Sequence, residues 1–268
     1  MYRLMLSDID GTLLNDQSRI TPEVKQSVTD AEKRGTRFVL CSGRSFLSIA
    51  RFEKELGLDT PGHYGIGFNG GMVYEADTHK ILWEHKLRRD LAMEIIDALA
   101  EKNTNVMVYI REKFLAEKAS PETLAYQHRS RIPMTVIQNF HEIQTDVSKV
   151  IIRDDYARLI QVQEDLRGLT EGRCNVFISA VNLLEFCPLE AHKGAALEFL
   201  ARHLGLPPEE TIAAGDHIND VSMLRMAGLG AAVANAAPEA KAAADIVTEA
   251  TNNENAIGEI VRKYIFTK

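Results

Sequence analysis

The chain has 268 residues, with 31 lysines and arginines against 38 aspartates and glutamates, a formal net charge of −7. Hydrophobic residues make up 45% and charged residues 26%, which excludes a disordered chain. The acidic balance argues against a general nucleic-acid binder, and no apolar run approaches the roughly 18 residues of a membrane span.

The elements follow in chain order. Residues 4–6 predict a strand that ends at Ser7-Asp8. Thr21-Pro22-Glu23 opens a helix, with Thr21 as N-cap and Gly35 as terminator. Residues 36–41 predict a strand and 45–56 a helix closed by Gly57. Residues 64–68 and 72–75 flank Asn69-Gly70-Gly71, a hairpin signal. This order argues a parallel sheet with helices on its faces.

After Trp83 the pattern changes. A helix is predicted over 89–102, with Leu91, Ile95 and Leu99 on one side. Strands are predicted over 105–110 and 113–117, and Ser120-Pro121-Glu122 opens another helix. A strand over 149–153, a helix over 156–166 and strands over 175–179 and 183–186 complete a mixed or antiparallel sheet. The first pattern then returns. Helices are predicted over 194–204, 219–227, 238–244 and 255–264, and strands over 211–214, 230–233 and 245–247. The reading is an α/β layer interrupted by an insertion of roughly residues 83–188. The acidic residue reached at Asp8 argues against a signal peptide and for a cytoplasmic protein. Cys41, Cys174 and Cys187 fit neither a disulfide framework nor a zinc site, and are expected to be small buried hydrophobes. A nucleophilic Cys41 is the alternative.

Three predicted strands end in reactive groups: Asp8-Ile9-Asp10-Gly11-Thr12, Ser42-Gly43-Arg44, and Gly215-Asp216-His217-Ile218-Asn219-Asp220. In an open parallel sheet, ligands bind beyond the carboxyl ends of the strands, so these groups are expected to converge. Asp8 and Asp10 are two apart and should point to one side of the strand end. Four carboxylates in one pocket require a cation or a shared proton. With oxygen donors only, the expected cation is Mg²⁺. Lys193-Gly194 at a helix start adds a positive charge, Thr12 and Ser42 offer hydroxyls, and Gly11, Gly43 and Gly194 offer close backbone N–H groups. Together they suit a phosphoryl group with a carboxylate aimed at phosphorus. Each motif alone is ordinary: a loop carboxylate pair, a strand-to-helix turn, a capped helix. Their order and complementarity carry the reading.

The four motifs resemble those of the haloacid dehalogenase superfamily, and most of all its Cof-type phosphatases, which carry a large cap between the second and third motifs. The resemblance covers essentially the whole chain. It implies a Rossmann-like parallel-sheet core from residues 1–82 and 189–268, with an inserted α+β cap at 83–188. It implies Asp8 as nucleophile and Asp10 as general acid/base. Asp8, Asp10 (through its carbonyl) and Asp216 would hold Mg²⁺, with Asp220 behind them. Ser42, Gly43, Lys193 and Asn219 would hold phosphate oxygens. Phe68-Asn69-Gly70-Gly71 resembles the family turn that faces the active site. Thr12, Arg44, Asn69, Asn182 and Glu185 are candidate substrate contacts. The implied activity is a Mg²⁺-dependent phosphatase acting through an aspartyl phosphate on small phosphorylated metabolites, sugar phosphates above all. The expected protein is a monomer or weak homo-oligomer, without nucleic-acid or membrane partners. A phosphomutase of the phosphomannomutase type is the nearest alternative. A phospho-aspartate signalling module is the distant one.

Overall fold

Apolar runs from both ends of the sequence pair into one sheet, so residues some 200 positions apart become neighbours. The computed structural model describes residues 1–180 and 182–266. The chain forms two compact units, Met1–Trp83 with His192–Lys268, and Glu84–Ala191.

The first unit opens with β1 (Leu4–Ser7), α1 (Pro22–Lys33), β2 (Arg37–Cys41), α2 (Phe46–Leu56), β3 (Tyr64–Gly67), β4 (Met72–Glu75) and β5 (Ile81–Glu84). The second contains α3 (Arg89–Ala100), β6 (Asn105–Ile110), β7 (Lys113–Ala116), α4 (Pro121–Ser130), β8 (Met134–Val136), β9 (Lys149–Arg153), α5 (Tyr156–Asp165), α6 (Arg167–Thr170), β10 (Cys174–Ala180) and β11 (Leu183–Pro188). The first unit is completed by α7 (Lys193–His203), β12 (Thr211–Gly215), α8 (Val221–Met226), β13 (Leu229–Ala232), α9 (Pro238–Ala243), β14 (Ile246–Val247) and α10 (Ala256–Ile260).

The eight-stranded sheet has the order β14-β13-β12-β1-β2-β3-β4-β5. Strand β1 pairs in parallel with β2 on one side and β12 on the other, with Ser7 opposite Leu40 and Ala214. The chain winds outward from β1 in one direction and from β12 in the other, so the crevice of the fold lies at their carboxyl ends. Strand alternation splits the core between the two faces. Met5, Phe38, Leu40 and Ile212 pack with α1, α2 and α10. Leu4, Leu6, Val39 and Ala213 pack with α7 and α8. Local chemistry sets the helix ends: Thr21 Oγ1 accepts from Val24 N, with Pro22 in the first turn. This α/β parallel-sheet architecture is the expected fold class.

The second unit has a six-stranded mixed sheet, β10-β11-β9-β6-β7-β8, in which β7 and β8 run parallel. Leu91, Ile95 and Leu99 of α3 pack on one face of it, against Val106, Val108, Val150, Ile152, Leu184 and Phe186.

Several boundaries differ from expectation. Strands β5 and β8 and helix α6 carried no clear signal; they are four residues or shorter, and no residue of β5 is buried. The helix expected over 219–227 is a 3₁₀ turn, Ile218–Asp220, followed by α8. The C-terminal helix is one α segment, α10, that widens into a π turn over Val261–Ile265. All three cysteines are buried free thiols. Burial pushes their pKa values up, Cys174 to about 11, so none is a poised nucleophile. Among the described residues, no helix is long and apolar enough to cross a membrane.

Candidate active site

Strands β1, β2 and β12 end side by side, and the next residue of each is Asp8, Ser42 and Asp216. The alignment persists one step beyond the strands: Asp8 N donates to Ala214 O at 2.9 Å. Opposite them, Lys193 begins α7 and is fully buried. Its Nζ lies 2.5 Å from Asp8 Oδ1 and 2.6 Å from Asp220 Oδ1. Asp220 Oδ2 accepts from the backbone N–H groups of Asp216 and His217, both at 2.9 Å. Both oxygens of Asp220 are therefore committed, which makes it a brace for Lys193 and for the third strand-end loop. Thr12 Oγ1 donates to Asp216 Oδ1 at 2.9 Å, tying the first loop to the third.

Ligand oxygens of Asp8, Asp216 and Asp220 lie within 4.8 Å of one another. Three carboxylates thus face one ammonium. Burial pulls the Lys193 ammonium down, but the carboxylates of Asp220 and Asp8 outweigh it and hold the lysine above its ordinary value. Burial raises Asp8 well above the usual carboxylate range; Lys193 opposes this, while Asp220, Asp216 and Asp10 add to it. Burial and then Asp220 push Asp216 up to about 6. This unrelieved negative charge, held on oxygen donors alone, fits a hard divalent cation.

Asp10 and Arg44 were expected in separate roles, and the structure joins them. Arg44 Nε and Nη2 each donate to the Asp10 carboxylate at 2.7 Å, a two-point pair. Asp8 is thus buried on Lys193, whereas the Asp10 side chain is about half exposed (55%) on Arg44. Asn219 Nδ2 donates to Asn69 Oδ1 at 2.9 Å, bringing the fourth motif to the β3–β4 turn. Asn69 N donates to Ser42 O at 3.0 Å, so the second motif meets the same turn. The first unit therefore assembles Asp8, Asp10, Thr12, Ser42, Gly43, Arg44, Asn69, Lys193, Asp216, Asn219 and Asp220 around neighbouring strand ends.

Asn182 and Glu185 belong to the other unit. Asn182 lies in the turn between β10 and β11. Glu185 is buried; Lys149 Nζ donates to its Oε2 and Ser179 Oγ to its Oε1, both at 2.6 Å. The Glu185 carboxylate is thus a partner for Lys149, a role its position in a strand did not show. A lysine opening the apolar run Val150-Ile151-Ile152 was the available signal. The sequence reading also missed three supports. Ser222 Oγ accepts from Gly194 N at 3.0 Å, and Asn235 Nδ2 donates to Gly11 O at 2.8 Å. His192 caps α7, its Nδ1 accepting from Ala195 N at 3.0 Å.

A family model for haloacid dehalogenase-like hydrolases matches residues 5–261. The chain belongs to the haloacid dehalogenase-like hydrolases. It is 32% identical over 249 residues to the HMP-PP phosphatase of Serratia proteamaculans, covering 90% of this chain and 87% of that protein. It is 25% identical over 265 residues to the 5-amino-6-(5-phospho-D-ribitylamino)uracil phosphatase YcsE of Bacillus subtilis, covering 98% and 96%. A haloacid dehalogenase-like hydrolase from Bacteroides thetaiotaomicron has the same fold, with a TM-score of 0.89 and 28% identity over 98% of this chain and 99% of the other. The enzyme class expected from the motifs, a phosphatase-type hydrolase of the haloacid dehalogenase family, therefore stands.

Proposed function

We propose that this protein is a Mg²⁺-dependent cytoplasmic phosphatase that hydrolyses small phosphorylated metabolites, sugar phosphates foremost, through an aspartyl phosphate on Asp8. The observation that carries the reading is the buried Lys193 ammonium shared between Asp8 and Asp220, with Asp216 alongside. A buried cation fixes one oxygen of Asp8 and marks where phosphate charge is tolerated. The two phosphatase relatives, one acting on a phosphorylated ribitylaminouracil, support a small phosphorylated substrate.

In this reading the Asp8 carboxylate attacks phosphorus, forming an O–P bond as the bond to the leaving oxygen breaks. Asp10 protonates that oxygen, then takes a proton from the water that attacks the acyl phosphate and frees Asp8. To do so, Asp10 must first give up Arg44. Lys193, Ser42, the Gly43 amide and Asn219 hold phosphoryl oxygens. Asp8, Asp216 and the Asp10 carbonyl would hold Mg²⁺, which supplies charge neutralisation to the phosphoryl oxygens when bound. The residues around Asp8 bind the phosphate that every substrate shares. Discrimination is therefore assigned to the inserted segment, the cap, and the first unit to the catalytic core. The protein is proposed to work as a monomer or weak homo-oligomer.

The test is phosphate release from a panel of phosphorylated sugars and nucleotides with Mg²⁺, alongside product analysis. Chelation with EDTA should stop turnover and Mg²⁺ restore it, while Asp8→Asn should abolish it with the fold intact. Transfer of phosphate within a hexose phosphate, without release to water, would favour the phosphomutase. Full activity in metal-free buffer would refute the metal assignment.

A further inference from the structure

Asn69 is almost completely buried (2% exposed) in the turn between β3 and β4. Its backbone is left-handed (φ 57°), as are those of Phe68 (φ 52°) and Gly70 (φ 91°) on either side. Two successive non-glycine residues in this region are a conformational cost that needs a reason. The turn is fixed on every side. Asn69 N donates to Ser42 O, and Asn69 Oδ1 accepts from Asn219 Nδ2. A Cβ on Gly43 would lie 2.8 Å from Asn69 Oδ1 and 3.0 Å from its Nδ2, so the amide lies directly against the Gly43 backbone. A Cβ on Gly70 would lie 2.3 Å from His192 O and 2.8 Å from Lys193 N, which presses the turn onto the start of α7. The Asn69 side chain thus lies against Gly43 and Asn219, two of the residues to which phosphate oxygens are assigned above. Yet among the described residues its buried Nδ2 has no hydrogen-bond partner. A buried amide donor without an acceptor is costly, and native structures rarely keep one without a use.

We propose that Asn69 Nδ2 is a phosphate-binding donor, reserved for a phosphoryl oxygen of bound substrate and of the phosphate product. The proposal rests on the phosphatase reading and adds to it a donor from outside the three strand-end loops. It also explains the strained turn: the left-handed backbone delivers the amide to Gly43 while the turn stays against α7.

The test measures the dissociation constant of inorganic phosphate by titration calorimetry in the presence of Mg²⁺, for wild type, Asn69→Asp and Asn69→Gly. Asp and Gly both tolerate the left-handed backbone. Asp keeps the acceptor for Asn219 and replaces only the donor, with an anionic oxygen; Gly removes both. A donor role predicts that Asn69→Asp weakens phosphate about 10- to 100-fold, the value of a hydrogen bond to a charged group. Asn69→Gly should weaken it less, because it adds no repulsion. Thermal melting should show both variants folded. A role confined to anchoring Asn219 predicts the opposite order, and Asn69→Asp binding phosphate within about twofold of wild type overturns the proposal. If Asn69→Asp fails to fold, Asn69→Gly decides alone: wild-type phosphate affinity in that variant overturns it equally. Wild-type protein that neither binds phosphate nor releases it from any substrate defeats the phosphatase reading itself, a failure distinct from an active enzyme indifferent to Asn69.

Discussion

A lysine ammonium with no solvent contact must be fully compensated, and Lys193 is, by Asp8 and Asp220 at once. Asp10 is held differently, by the exposed two-point pair with Arg44. An acid/base at that position predicts a leaving-group signature. Asp10→Asn should lose far more activity on alkyl phosphates than on p-nitrophenyl phosphate, whose leaving group needs no proton. Equal losses on both, read as kcat/KM ratios, would confine Asp10 to structure or metal binding. Glu53 gives a stability prediction away from the site. It is fully buried on α2, Tyr74 OH donates to its Oε1 at 2.8 Å, and burial pushes it up to about 8. Its ordinary value is 4.5. Between these values the folded state keeps a proton that the unfolded state releases, so stability falls as pH rises from about 4.5 to about 8. Glu53→Gln should remove this fall and stabilise the protein by about 4 kcal/mol near pH 8, with little effect at pH 4.5. Denaturant melts at the two pH values check it; equal effects would mean Glu53 ionises normally in the fold. The convergence of Asp8, Lys193, Asp216 and Asp220 was legible because each sits in a motif with a fixed place at a strand or helix end. The Asp10–Arg44 and Lys149–Glu185 pairs were not, since spacings of 34 and 36 residues say nothing about which side chains meet.

Elements were legible wherever one local signal sufficed. Thr21-Pro22 set the start of α1, Gly57 (φ 74°) closed α2, and short continuous apolar runs, buried on both faces, set the central strands. Elements that depend on partners were harder to read. Strand β8 exists through its parallel pairing with β7, and β5 lies at the sheet edge. The β3–β4 turn shows both sides. Asn69-Gly70-Gly71 announced a hairpin, but its packing against α7 is a tertiary fact. Gly70→Ala adds a Cβ where φ is 91° and where His192 O lies 2.3 Å away. This should cost about 1–3 kcal/mol and reduce turnover by displacing the helix start that carries Lys193. Gly168→Ala in α6, where no described atom beyond its chain neighbours and its own helix backbone lies within 4 Å of the added Cβ, should leave both properties unchanged or gain slightly. Comparable losses in the two variants would mean that the turn is not clamped.

At the scale of the molecule, the sheet order brings both ends of the sequence to one place. Strand β1 lies between β2 and β12, so Asp8 and Asp216 become neighbours and the chain between β5 and α7 is left to form other structure. The inserted unit uses that freedom to build its own sheet and core. The proposed acceptance of the phosphoryl group by Asp8 can be read by covalent trapping. Enzyme mixed with substrate and Mg²⁺ is quenched within one turnover and treated with borohydride, which reduces an acyl phosphate to an alcohol. Peptide mass spectrometry then reads residue 8. Homoserine is expected at position 8, dependent on substrate and absent from Asp8→Asn. Steady phosphate release with residue 8 unmodified, or with the label on another residue, would contradict it.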